Sequence, residues 1–239
     1  MSEAVKIDVY FDVASVYTFF AWFVLQKYRD LWNLDIELKP VFLPGIIKET
    51  GNIPPATLPQ KATFLIKDTH RTAKWYGIDS TFQGTPTNFF TASARENLRI
   101  QRFIAAALAT SGVSQSAIFS LADSAFTSFW MDKRNRDSSN NLKPIDDAYI
   151  TRVAVAAGFS SEQTAERLAK SGSLGKDELK KNTDEAISLG CFGSPNFLVY
   201  VDESGKSSQT ERQFFFGSDR FEQLAFFLGK KWLGPGAKL

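Results

Sequence analysis

Alternation of apolar and polar side chains at period two appears only near the two ends of this chain. Val5 to Phe11 alternates, Asp35 to Phe42 alternates again, and between them Ser15 to about Leu31 is apolar on nearly every side. That is a strand, a buried helix and a second strand, a β-α-β unit whose parallel strands imply a covered sheet. Strand character then disappears until Asn196 to Val201 and Gln213 to Phe216, which flank the turn Asp202-Glu203-Ser204-Gly205 and lead into a final helix expected over Ser218 to Trp232.

Everything between the two β-bearing ends reads with helical period. Helices are expected over about Leu58 to Tyr76, Ser93 to Thr110, Ser114 to Lys133, Ile145 to Ala157, Ser161 to Lys170 and Gly175 to Leu189. Loops are expected at Gly51 to Pro55, Gly84 to Pro86 and Arg134 to Lys143. The order β-α-β, helices, β-β-α is that of an α/β thioredoxin-like domain (1–50 and 185–239) carrying an inserted all-helical domain (51–184).

Composition narrows the chemistry. A formal charge of +2, without long runs of like charge, leaves no nucleic-acid footprint and no polybasic membrane patch. The longest apolar run, Phe19 to Leu25, is far shorter than the ~20 residues a bilayer requires. No basic-then-apolar leader pattern opens the chain, which argues against a secretory route. One cysteine, Cys191, and one histidine exclude an internal disulfide, a CxxC pair and a Cys/His zinc site, so no metal is expected. Cys191 reads as a small buried hydrophobe. The 22 phenylalanines, several in adjacent pairs, point to aromatic packing.

Five stretches carry a resemblance: FDVASVY at 11–17, ETGNIPPATLPQK at 49–61, CFGSPNFLV at 191–199, FGSDR at 216–220 and KKWLGP at 230–235. In this order and spacing they resemble the kappa class of glutathione transferases. More distantly they resemble 2-hydroxychromene-2-carboxylate isomerases and disulfide oxidoreductases with the same helical insertion. The resemblance implies glutathione as co-substrate, a homodimer, and Ser15 in the catalytic position.

Ser15 and Thr18 occupy the places where a redox relative carries its two cysteines, so disulfide exchange is excluded there. A hydroxyl at a helix mouth can instead hydrogen-bond a thiolate, aided by the helix dipole. Lowering a thiol by ~2 pKa units takes ~2.7 kcal/mol. A charge-assisted hydrogen bond of ~1.5–3 kcal/mol and a helix end of ~0.3–2 kcal/mol supply it without a base. The alternative is that Ser15 only caps the helix. Many relatives carry proline next; Val16 restores an N–H that can also donate to the sulfur.

The resemblance places the peptide against Val16, Tyr17, Asn52, Lys61, Ser194, Pro195, Ser218 and Asp219. Pro195 is expected to be cis, so that the Ser194 backbone pairs with the cysteinyl part like an added strand while its side chain is free to vary; an ordinary turn proline is the alternative. Ser218 and Asp219 are expected to open the last helix and take the γ-glutamyl carboxylate and ammonium, or else to form a plain N-cap. Asn52 and Lys61 are peptide contacts by resemblance, with Lys61 on the glycine carboxylate; by themselves they read as solvated surface. Asn88, Phe89 and Phe90 either line an electrophile pocket or belong to a core. His70, Arg71 and Lys74 read as an exposed face.

The expected activity is conjugation of glutathione to electrophiles or reduction of hydroperoxides, in detoxification. A glutathione-dependent isomerase, and a non-catalytic glutathione-binding adaptor, are the alternatives. The terminal Ala237-Lys238-Leu239 varies the Ser-Lys-Leu peroxisomal address, so a peroxisomal location is expected if the chain is eukaryotic, with mitochondrial or cytoplasmic placement as alternatives.

Overall fold

The computed structural model describes residues 4–89, 94–208 and 210–237. Phe90 and the terminal Lys238 and Leu239 lie outside the described residues.

Strand β1 (Val5–Phe11) pairs in parallel with β2 (Leu34–Pro40), Val5 opposite Leu34 and Phe11 opposite Pro40. Helix α1 (Val16–Leu31) makes the crossover between them. Nine of its residues are buried, among them Phe19, Phe20 and Trp22, which is why it reads as apolar almost all round. It stops where Asn33 turns left-handed at φ 53, a conformation that asparagine tolerates. Strand β3 (Asn196–Val199) runs antiparallel to β1, and β4 (Gln213–Phe216) antiparallel to β3, giving the order β2-β1-β3-β4.

Six longer helices follow one another between β2 and β3: α3 (Pro59–Tyr76), α4 (Ala94–Leu108), α5 (Gln115–Trp130), α6 (Asp147–Ala156), α7 (Ser161–Ser171) and α8 (Leu174–Ser188). A continuous apolar core joins both parts: Ile7, Val9 and Phe11 of the sheet, the buried face of α1, and residues of α4, α5 and α6. At its centre the Phe19 ring stacks on both Phe82 and Trp130, at 5.8 Å in each case. The expected boundary between 184 and 185 falls inside α8, which packs against α4 as well as against β2.

Three expectations are corrected. Helix α2 (Leu43–Thr50) was not anticipated, and β2 ends at Pro40 because Phe42 already caps it. Only Ile46 of α2 is buried, so eight residues give no periodic signal. Strand β3 stops at Val199. The last helix, α9, covers only Phe221–Phe227, with Arg220 at its N-cap; Ser218 therefore does not cap it. Gly217 at φ 97 turns the chain before α9 and Gly229 at φ 62 turns it after, and the following residues run as a strap along α1. Trp32 Nε1 donates to Lys231 O, the Tyr28 hydroxyl donates to Gly234 O and accepts from Leu233 N, and the Trp232 ring stacks on Tyr28. The KKWLGP stretch is thus a seal on the fold.

Candidate active site

Strand β1 delivers the chain to the mouth of α1, where Ser15 is the N-cap in extended backbone (φ −79, ψ 115). Its Oγ accepts from Thr18 N at 3.2 Å and donates to Ser194 O at 3.0 Å. The capping and site readings are therefore not exclusive, because the cap uses a lone pair and leaves the hydroxyl proton for an acceptor in front. At 6% exposure Ser15 sits one hydrogen bond behind the cleft wall, and Ser194 is part of that wall.

Ser194-Pro195 is cis, as expected. Asn196 Nδ2 donates to Gly193 O at 2.6 Å, and Gly217 N donates to Pro195 O at 3.1 Å, so the loop is anchored on both sides. The Ser194 side chain is not free as expected: its Oγ lies 2.8 Å from Thr18 Oγ1, both buried. Thr18, in the second cysteine position, thus locks the cis-proline loop onto α1.

In front lies a cleft of about 490 Å³. It is lined by Tyr17 from α1, by Pro55 and Ser194, by Gly217, Ser218 and Asp219, and by Asp68, Thr72, Trp75 and Tyr76 from α3. The structure therefore brings together Tyr17, Ser194, Ser218 and Asp219, with Val16 buried beneath them in the first turn. Ser218 is held from the backbone, its carbonyl accepting from the Tyr76 hydroxyl at 3.3 Å. Asp219 pairs with Arg220 at 2.6 Å in solvent.

Asn52 and Lys61 do not line the cleft. Asn52 Nδ2 donates to Phe192 O at 2.6 Å while its Oδ1 accepts from Ile53 N at 2.8 Å, so it ties the loop after α2 to the loop leading to Ser194. Lys61 is exposed in the first turn of α3. Asn88 exchanges two hydrogen bonds with the Leu142 backbone and Phe89 packs on the core, which favours the structural reading of that stretch. His70 is exposed, edge-on to Phe82.

The α3 wall was missed by sequence reasoning. Asp68, Thr72, Trp75 and Tyr76 fall at helical spacing on one face, and an exposed tryptophan on a helix otherwise rich in charge was the available signal. Burial raises the Tyr17 hydroxyl pKa, and the Asp68 and Asp219 carboxylates raise it further, so Tyr17 faces the cleft as a protonated donor. Burial likewise pushes Tyr76 up to about 12. The one thiol, Cys191, is buried and pushed up to about 12, chiefly by desolvation and then by Glu185, which removes it as a nucleophile.

The DsbA-like thioredoxin domain family matches residues 6–229. Glutathione S-transferase kappa 1 of Homo sapiens is 31% identical over 231 residues, covering 96% of this chain and 93% of that one. Among solved structures, a 2-hydroxychromene-2-carboxylate isomerase superposes with a TM-score of 0.67 at 20% identity, over 94% of each chain. The cytosolic disulfide reductase DsbM from Pseudomonas aeruginosa with GSH superposes with a TM-score of 0.58 at 12% identity, over 94% of this chain and 96% of that one. The chain belongs to the kappa-class glutathione S-transferases, on the DsbA-like thioredoxin domain.

Proposed function

We propose that glutathione binds in the cleft in front of Ser194 and that Ser15 holds its sulfur as the thiolate, which then attacks an electrophilic carbon or a hydroperoxide. The observation that carries this is the Ser15 hydroxyl at the mouth of α1, with its proton directed at Ser194 O. Exchanging a neutral carbonyl for an anionic sulfur turns a hydrogen bond of about 1 kcal/mol into one of about 1.5–3 kcal/mol. The α1 N-terminus, whose first turn holds no acidic residue, adds its positive end. The Val16 N–H lies in the same turn. Ser194 and Pro195 align the cysteinyl backbone, Tyr17 donates from the side, and Ser218 with Asp219 receives the γ-glutamyl end. Lys61 reaches the glycine carboxylate from outside the wall, and Asn52 acts by holding the loop before Ser194.

The reaction gains from proximity and from the fraction of sulfur ionised. Losing ~2 pKa units of activation cuts the thiolate ~100-fold well below both pKa values, while the more basic sulfur regains ~10-fold in nucleophilicity. Ser15→Ala should therefore lower the rate of glutathione conjugation to an activated aryl chloride about tenfold at low pH, and the order should reverse, toward a rate about tenfold above the native one, once both thiols are ionised. An equal rate at all pH values would refute the assignment.

A homodimer is part of the same proposal. Helix α3 buries only Thr69, Ala73 and Tyr76 of its 18 residues, and Phe64 (58% exposed) and Trp75 (66%) stand on one side of it. A second copy covering this face would remove that apolar surface from water. Light scattering at micromolar concentration should give twice the chain mass, and a monomer would remove this part of the proposal.

A further inference from the structure

The three residues that bring β1 to the Ser15 turn are gripped from the helical segment. Gln101 Nε2 on α4 donates to Phe11 O at 3.0 Å and to Val41 O at 2.6 Å. Trp130 Nε1 at the end of α5 donates to Val13 O at 2.7 Å. Between them Asn97 Nδ2 on α4 donates to Asp12 Oδ1 at 2.7 Å. The same Oδ1 accepts from Ala14 N at 2.9 Å, Oδ2 accepts from Leu43 N at 2.8 Å, and the Asp12 carbonyl accepts from Ser15 N at 3.0 Å. One residue thus fixes Ala14 with its side chain and Ser15 with its backbone.

We infer that Asp12, clamped by Asn97, is the positioning residue for Ser15, so that the helical segment sets how the serine hydroxyl meets the sulfur. The inference rests on the thiolate reading above. It explains a carboxylate that stability alone would not favour. Asp12 is fully buried, and the groups that face it are the Ala14 and Leu43 N–H groups and the Asn97 amide, with no charged side chain from α1, α2 or α4 among the described residues. A buried carboxylate without a cation is costly. Only a carboxylate accepts at both oxygens without presenting a proton to one of its donors; an asparagine would turn its NH₂ against Leu43 N or against Ala14 N and Asn97.

The test exploits a sign. Removing a nearby negative charge can by itself only lower the pKa of a bound thiol, so a rise isolates lost positioning. Thiolate absorbance of bound glutathione is titrated in the native chain, Asp12→Asn, Asn97→Ala and Ser15→Ala. The pKa should rise by about half a unit or more in both Asp12→Asn and Asn97→Ala, with glutathione still bound. An unchanged or lowered value in either folded variant overturns the inference, and if Asp12→Asn does not fold, Asn97→Ala decides alone. Should Ser15→Ala also leave the pKa at the native value, the thiolate reading itself fails; a rise in Ser15→Ala alone removes only the role of Asp12.

Discussion

Acidity tests the Asp12 cluster without any ligand. Desolvation raises the buried carboxyl from 3.8 to about 6 against three hydrogen bonds that act to lower it. A gap of roughly two units corresponds to about 3 kcal/mol of linkage between protonation and folding. Because the folded value lies above the unfolded one, the folded chain holds this proton more tightly. The contribution is fully present below a pH of about 4 and is lost as the pH rises through about 6. Asp12→Asn removes the titration and leaves every other group in place, including Asp132, whose carboxyl is held low mainly by its hydrogen bond to Arg134, and the similarly lowered Asp202. Urea unfolding of both chains at pH values of about 4.5, 6 and 7.5 gives the difference directly. The variant should gain about 2 kcal/mol relative to the native chain across that range, on top of a constant offset from the amide's own contacts. A difference that stays flat would mean that Asp12 binds its proton no more tightly in the folded chain than in the unfolded one, and the burial cost given as the reason for its positioning role would fail.

Other outcomes follow from packing and the seal. Phe19→Ala removes the ring that stacks on Phe82 and Trp130 and should cost about 3–5 kcal/mol by chemical denaturation. At Gly175 an added Cβ would sit 2.2 Å from Arg102 O, so Gly175→Ala must part α4 from α8 and lower the melting temperature, for a cost of about 1–3 kcal/mol. Tyr28→Phe loses the donor to Gly234 O and the acceptor for Leu233 N; about 1–3 kcal/mol should go, with faster amide exchange at Leu233.

The two ends of the fold were legible because their signals are local. Alternation marks β1 and β2, strand character after a turn marks β4, Ser15 precedes an apolar run, and Ser194-Pro195-Asn196 leads into a strand. Helix α2 was not legible, since one buried residue in eight makes no pattern. The helical spacing of Phe221, Leu224, Leu228 and Trp232 runs across Gly229, so the sequence alone reads one long helix where the chain breaks and Trp232 packs back on Tyr28. The cleft was half legible. Tyr17, Ser194, Ser218 and Asp219 converge, whereas Asp68 and Trp75 of α3, which also line the cleft, carried no reading in the sequence. Asn52 illustrates the limit: the resemblance implied a peptide contact, but its amide is used on Phe192 O. The Asp12–Asn97 contact spans 85 positions, and no local pattern announces a partner that distant.

The account turns on whether Ser15 lowers the pKa of a borrowed thiol. Titrating the ultraviolet thiolate absorbance of bound glutathione in the native chain and in Ser15→Ala measures it most directly. The native value should lie about two units below an ordinary thiol near ~8.5, and Ser15→Ala should return it most of the way. A native value no lower than that of free glutathione, with binding intact, would contradict the account and leave a scaffold that holds glutathione without activating it.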